Sequence, residues 1–332
     1  MILDIESHIF PSKFIHELIN NQGQLRVVGP DDLGRMGIID SFTGLMLTYF
    51  RPGTPFTDIE LRLKDMKRYA IDTQVLSINP PGIDRILNKE ESYRLCRIIN
   101  DALAEIVSSY PSSFMGFASI PFNDPESAVD EIKRSIKDLG LQGLVIPSNT
   151  LNKFYDLNEF DIIFSAAEAI GVPLFMHPTQ PVAWKDIGPD YNLSLIYGWP
   201  FDTTLSLARL AFSGVLKRFP NLHIIAAHGG GMIPFFIKRA EMLINDTRGA
   251  GKLPNETAIN IKNLYFDTAI FYTPSIELLL KFAGDDHIIF GTDYPFGRDS
   301  YQVGLDTVRE LKNKLVEEKI FSKNLENLLK TS

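Results

Sequence analysis

Short runs dominated by apolar residues alternate along the chain with longer stretches in which apolar positions recur every three or four residues. The short runs predict strands at 2–8 (ILDIESH), 74–79 (QVLSIN), 114–119 (FMGFAS), 142–146 (QGLVI), 172–177 (VPLFMH), 222–228 (LHIIAAH), 264–268 (LYFDT) and 287–292 (HIIFGT). Such apolar runs leave no wet face, which suits strands covered on both sides in a parallel sheet. Between them, helical periodicity falls around 58–71, 90–109, 125–139, 158–170, 203–219, 232–245, 274–283 and 300–317. Asp124-Pro125 and Thr273-Pro274 read as helix starts, with the Asp or Thr accepting backbone N–H groups and the Pro fitting the first turn.

Eight strand–helix repeats predict an α/β protein of the (β/α)8 TIM-barrel type, a single domain over residues 1–332. Two connections are longer than turns. Residues 21–57 follow the first strand, and residues 178–201 follow the fifth and contain Trp184, Tyr191, Tyr197 and Trp199. In a parallel barrel both lie at the C-terminal face, where substrates bind, as walls or lids.

With 332 residues, 45% of them apolar, the chain can bury a large core. A formal charge of -8 gives no basic field for nucleic acid or an anionic membrane. The lone cysteine, Cys96, has no partner for an internal disulfide and suits a small core position, so a reducing compartment is expected. The chain opens directly into a strand-like run without a signal-peptide pattern. No stretch approaches the roughly 20 apolar residues that span a bilayer. These features together predict a cytoplasmic protein.

The histidines sharpen the picture. Three of the six, His8, His177 and His228, end predicted strands, the position from which barrels present catalytic groups. Glu6 and His8 are two apart on the first strand, so both point to one face and form a chelating pair. His177 and Asp293 end the fifth and eighth strands, and closing the barrel can bring all four residues onto one divalent ion. Each alone has a plainer role: a hydrogen-bonded histidine, a turn aspartate before Tyr294-Pro295, or, for His228, packing beside Gly229-Gly230-Gly231. Glu6 is the hardest to explain that way, because a carboxylate pointing into a barrel is costly without a partner. His16, His223 and His287 lie away from strand C-termini and are assigned no function.

The motifs DIESHIF, FMHPT, AAHGGGMIP and GTDYPFG resemble those of the amidohydrolase-2 family, which includes aminocarboxymuconate semialdehyde decarboxylase and related aromatic acid decarboxylases. The resemblance runs from the first strand to the C-terminal LENLLK. It implies an amidohydrolase-like metal-dependent barrel with one metal ion on Glu6, His8, His177 and Asp293, and with His228 unligated beside it as acid/base. The family's first motif is usually His-x-His, whereas this chain has Glu6-Ser7-His8, closer to the hydroxybenzoate-type decarboxylases. A carboxylate in place of an imidazole adds a hard, negative donor, which keeps zinc in play and makes manganese or magnesium more competitive.

In the decarboxylases it resembles, arginines in comparable segments hold the substrate carboxylate. This implies Arg51, in the long first connection, and Arg239, which would reach across from a second subunit of a homodimer. The plainer role of Arg239 is a solvated charge on a helix face. The expected activity is non-oxidative decarboxylation of a small aromatic or muconate-type acid, with His228 or Asp293 delivering a proton to carbon. Two alternatives stay open: a metal-dependent hydrolase of a lactone, amide or C–C bond using the same residues, and a barrel that binds without catalysis.

Overall fold

In the computed structural model, residues 1–78, 82–188, 190–244, 246, 264–297 and 299–330 are described. The described residues form eleven strands: β1 (Leu3–Ile9), β2 (Leu25–Val28), β3 (Met36–Asp40), β4 (Leu45–Phe50), β5 (Thr73–Ile78), β6 (Phe114–Ala118), β7 (Gly143–Pro147), β8 (Leu174–His177), β9 (Ile224–Ala226), β10 (Leu264–Asp267) and β11 (Ile288–Ile289). Eight of them pair in parallel in the order β1-β5-β6-β7-β8-β9-β10-β11. The N–H of Ile5 donates to the Phe290 carbonyl (3.0 Å) and that of His8 to the Tyr294 carbonyl (2.7 Å), closing the last strand onto the first. The fold is the (β/α)8 barrel that the strand–helix alternation predicts.

The inside of the barrel is a packed apolar core of Leu3, Ile5, Val75, Phe117, Val145, Phe175, Ile225, Ala227 and Ile289, not a channel. Leu325 and Leu328 of the last helix, Asn324–Lys330, plug its N-terminal end. That helix is tied down by Asn324, whose amide donates to the carbonyls of Ile288 and Asp285, both at 2.7 Å. Outside the barrel, the opposite faces of the strands meet the apolar sides of the helices in a second, larger cluster.

The first long connection, expected as a wall or lid, contains a sheet of its own. After a short helix at Ser12–Asn20, β2, β3 and β4 form a separate antiparallel sheet. The alternation there is broken by a register shift between Ile38 and Ile39, and the residues are mostly half-buried, so the period-2 signal is weak. The second connection contains short helical segments at Trp184–Ile187 and Ser194–Gly198, then enters the helix Trp199–Phe212. Of the two expected caps, Thr273 is the first helical residue and its hydroxyl bonds the Thr307 carbonyl and Glu310 instead. Asp124 precedes its helix as expected, but its carboxylate accepts from the Ser127 hydroxyl (2.6 Å) and from no backbone N–H. Asn79 and Asn245, which end two of the expected elements, lie outside the described residues.

One buried cation braces the site-bearing end of β1. Arg62, on the helix Ile59–Tyr69, is completely buried and donates to Ser7 Oγ (2.5 Å), Gln74 Oε1 (3.0 Å) and the carbonyls of His8 (2.5 Å) and Pro55 (2.7 Å). The ring of Tyr294 lies 4.9 Å from the guanidinium. Replacing Arg62 by Met strands four acceptors, so Arg62→Met is expected to lower the unfolding free energy by about 3 kcal/mol. Denaturant titration of variant and wild type checks this, and a loss below about 1 kcal/mol would show that water replaces the guanidinium without penalty.

Candidate metal centre

The centre begins with an irregularity in β1. Its register against β5 shifts between Asp4 and Ser7, so one extra residue is accommodated there. Below the shift, Leu3 and Ile5 point into the barrel core. Above it, Glu6 and His8 point into the mouth, while Ser7 turns outward to Arg62. The bulge therefore lets apolar filling and polar site share one face of one strand, a common use of bulges near active sites.

His177 continues the inward alternation of β8 after Phe175. Asp293 lies just past β11 and is bracketed on both sides. The Thr292 N–H and hydroxyl donate to Asp4 (3.1 and 2.6 Å), and the Tyr294 carbonyl accepts from His8. Burial pushes the Asp4 carboxyl up to about 7, against the opposing pull of those Thr292 hydrogen bonds. Asp293 itself has φ +53°, in the left-handed region that L-residues rarely occupy.

Glu6, His8, His177 and Asp293 each offer a ligand atom, and the four atoms lie within 4.8 Å of one another. His8 Nε2 is 3.3 Å from Asp293 Oδ1, and His177 Nε2 is 3.4 Å from Glu6 Oε1. Ligands about 2.0–2.2 Å from one ion stand about 3–4.4 Å apart, so these spacings suit a shared cation. The first three residues are fully buried, yet both Glu6 oxygens, His8 Nε2 and His177 Nε2 lack hydrogen-bond partners. Unpaired buried lone pairs aimed at one point are what a metal site looks like before its ion, and the set fits a divalent cation.

The imidazoles are oriented from behind. His177 Nδ1 is 2.8 Å from the Pro178 carbonyl, which only accepts, so Nδ1 carries the proton and Nε2 presents its lone pair. His8 Nδ1 is held by Ser77 Oγ at 3.1 Å. Burial, aided by the neighbouring His8 and His228, pushes the His177 pKa well below the usual imidazole value and keeps it neutral. For Glu6, burial and then the charges of Asp267 and Asp293 raise the carboxyl well above its usual range. Burial alone would raise Asp293 too, but the close His228 and His8 imidazoles hold it well below.

His228 sits beside the cluster, Nε2 at 3.4 Å from Glu6 Oε1 and 3.8 Å from Asp293 Oδ2. Burial pulls its pKa down, yet the nearby carboxylates of Asp293 and Asp267 outweigh it and leave the imidazole raised. Its side chain is 14% exposed and that of Asp293 22%, against 0–1% for Glu6, His8 and His177, so the cluster is open to solvent on the His228 and Asp293 side. Room for this crowding comes from Gly291. A Cβ there would lie 3.0 Å from Asp267 Cβ and 3.2 Å from Glu6 Cβ.

The structure gathers Glu6, His8, His177, His228 and Asp293 but leaves both arginines outside. Arg51 is exposed, donates to the Leu33 carbonyl (2.7 Å), and lines a cavity of about 380 Å³ with Tyr49, Phe50, Phe56 and Pro295. None of the four candidate ligands lines that cavity. Phe56 packs on Phe296, and Phe296 on His8, so these rings form a partition between the two spaces. Arg239 stands exposed on the helix Ile233–Leu243. Asp267, buried at the end of β10, is a site residue that the histidine-led reading passed over, although the same strand-end criterion applied to carboxylates selects it.

A family model described as Amidohydrolase matches residues 35–329. The chain is 34% identical over 243 residues to 2-amino-3-carboxymuconate-6-semialdehyde decarboxylase of Dictyostelium discoideum, covering 72% of this chain and 67% of that one. It is 30% identical over 277 residues to gamma-resorcylate decarboxylase of Rhodococcus jostii, covering 74% and 82%. Among solved structures, dihydroxybenzoic acid decarboxylase of Polaromonas sp., with bound manganese and the inhibitor 2-nitroresorcinol, superposes with a TM-score of 0.77 at 24% identity over 99% of this chain and 96% of that one.

Two outcomes follow from the centre's geometry. Gly291→Ala pushes Glu6 and Asp267 aside and is expected to weaken metal retention by about 10- to 100-fold while the protein stays folded, as metal titration with circular dichroism would show. Burial and the facing carboxylates raise the Glu6 carboxyl, and a cation bound there displaces its proton, so metal uptake should release protons and tighten as pH rises. Uptake into an indicator solution that releases no protons would refute the raised carboxyl.

Proposed function

The chain belongs to the amidohydrolase family, and on that premise we propose that it is a metal-dependent, non-oxidative decarboxylase of a small aromatic or muconate-type carboxylic acid. The observation that carries this reading is the convergent ligand set Glu6, His8, His177 and Asp293, the first three buried with unpartnered donor atoms, with the protonatable His228 beside it. The relatives named above act on acids of this kind.

In this reading those four residues hold one divalent ion, zinc or manganese with magnesium as a third candidate, which supplies a Lewis-acid charge that polarises a substrate oxygen. Two carboxylates among four ligands form a hard, electron-rich set, which favours manganese as in the Polaromonas structure. The carboxylate carbon leaves as CO2, and the electron pair of the broken C–C bond stays on the substrate carbon. His228, or Asp293 in its place, delivers a proton to that carbon and is reloaded from solvent at the exposed edge of the site. No oxidant is consumed.

Arg51 holds the substrate carboxylate in this proposal, which requires the segment around residues 51–56 to turn toward the centre past the Phe56–Phe296 partition. Arg239 completes that grip from the second subunit of a homodimer, a geometry supported by its exposure beside Phe235, Phe236 and Met242. No helix among the described residues is long and apolar enough to cross a membrane, and with the lone buried Cys96 this supports a cytoplasmic location.

Purified protein assayed for metal and then for CO2 release from hydroxybenzoates and muconate-type acids is expected to carry about one divalent ion per chain and to evolve CO2. A product that keeps every carbon and gains water would replace this reading with hydrolysis. His228→Asn is expected to keep its metal and lose at least about 100-fold in kcat. Loss of the metal in that variant would make His228 a ligand instead.

A further inference from the structure

Asp267 is a completely buried carboxylate that the proposed chemistry leaves unused. Its Oδ1 accepts the N–H of Gly229 at 3.1 Å and the N–H of Ala269 at 3.2 Å, while Oδ2 has no hydrogen-bond partner and lies beside the Glu6 carboxyl. Gly229 follows His228 directly, in a turn of unusual shape. His228, Gly229, Gly230 and Gly231 have φ of +52°, +61°, +71° and +63°.

For His228, the one residue of the four with a Cβ, the left-handed conformation costs about 1–2 kcal/mol, so it persists only where neighbours hold it. Without that turn the chain would continue the alternation of β9, in which Ile225 and Ala227 face the barrel core, and would carry residue 228 to the outside. The imidazole's Nδ1 has no partner and its Nε2 meets only Glu6 at 3.4 Å and Asp293 at 3.8 Å, so the backbone contacts of the turn matter to its placement. The turn is held at its two ends. Met232 N–H donates to Thr204 Oγ1 at 2.8 Å, and Asp267 takes Gly229 N–H. The Thr204 end needs Gly231, where a Cβ would collide with the Pro200 carbonyl.

We infer that Asp267 is a positioning residue, whose acceptor oxygen clamps the His228 turn and so sets where the imidazole meets the substrate. Part of this inference rests on the reading of His228 as the proton carrier; the clamp itself does not. A displacement of about 1 Å at a catalytic group costs on the order of 100-fold in rate, with a smaller effect on ground-state binding. Asp267→Asn keeps an oxygen for both N–H groups and turns its amide toward Glu6. Asp267→Ala removes the clamp.

The experiment measures four things: metal content and then kcat and KM, on metal-loaded protein, for an acid that the wild type decarboxylates; and, on protein loaded with diamagnetic zinc, the ring signal of His228 in histidine-labelled NMR spectra, assigned with His228→Asn, and exchange of the Gly229 amide. Asp267→Ala is expected to retain metal, lose about 100-fold in kcat with KM within about threefold, and shift or broaden the His228 signal. Asp267→Asn should keep the wild-type signal and at least about a tenth of kcat. Equal losses in both variants, or a wild-type signal and kcat in Asp267→Ala, would overturn the inference. Should Asp267→Ala not fold, the wild-type Gly229 amide still decides, since fast exchange there rules out a clamp. A wild type that decarboxylates no acid defeats the decarboxylase reading alone, because the NMR and exchange measurements judge the clamp without turnover.

Discussion

Placing Glu6 at the mouth of a barrel packed with apolar side chains is the constraint around which the rest of this structure is arranged. The carboxylate is fully buried, has no hydrogen-bond donor, and faces Asp267 and Asp293 across the mouth. A lone ionised carboxylate in such a place costs far more than a domain's net stability can absorb, so it must be protonated or bound to a cation. The neighbouring imidazoles point the same way, with His177 held neutral and its free nitrogen aimed at Glu6. The cluster is thus preorganised for a positive ion, which would offset the cost of burying Glu6.

Preorganisation is built from backbone irregularities more than from regular strands. The extra residue in β1 lets Ile5 fill the core and Glu6 face the mouth. Left-handed residues at His228 and Asp293 turn two side chains where the strand pleat would not send them. Each irregularity is braced from outside the barrel or from the next strand: Arg62 behind Ser7 and His8, Asp4 on Thr292, and Asp267 on Gly229. Breaks in local preference concentrated at one place, with dedicated supports, are characteristic of functional sites.

The second support is the wall around the site. Aromatic rings from two distant segments, Phe56 and Phe296, close one side of the metal cluster and divide it from the cavity that Arg51 lines. The buried Asp202 accepts from Ser148 Oγ, Asn149 Nδ2 and the N–H of Val182, which anchors the start of the aromatic connection after β8. One rim of the mouth is thereby fixed to the barrel. The small antiparallel sheet meets the segment after β11 at the Arg51 cavity, which Tyr49 and Phe50 line with Tyr294 and Pro295.

Much of this was written locally. Eight apolar runs alternating with helical periodicity determined the barrel, because each signal depends only on residues a few positions apart. Strand-end chemistry determined the candidate ligands, because parallel strands in a barrel all end at the same face. What local pattern did not decide was anything that depends on distant partners. The sheet inside 21–57 exists through pairing across a weakly patterned meander. Thr273 bonds a neighbouring helix instead of capping its own. Asp267 matters only because closure puts it between Glu6 and the His228 turn, and Arg51 lies behind two rings whose meeting no spacing in the sequence foretells. The sequence by itself determined Glu6, His8, His177, His228 and Asp293 as strand-end groups at the barrel mouth; tertiary packing decided which of them touch, that Asp267 joins them and that Arg51 does not, since contact is set by the closure of β1 against the end of β11.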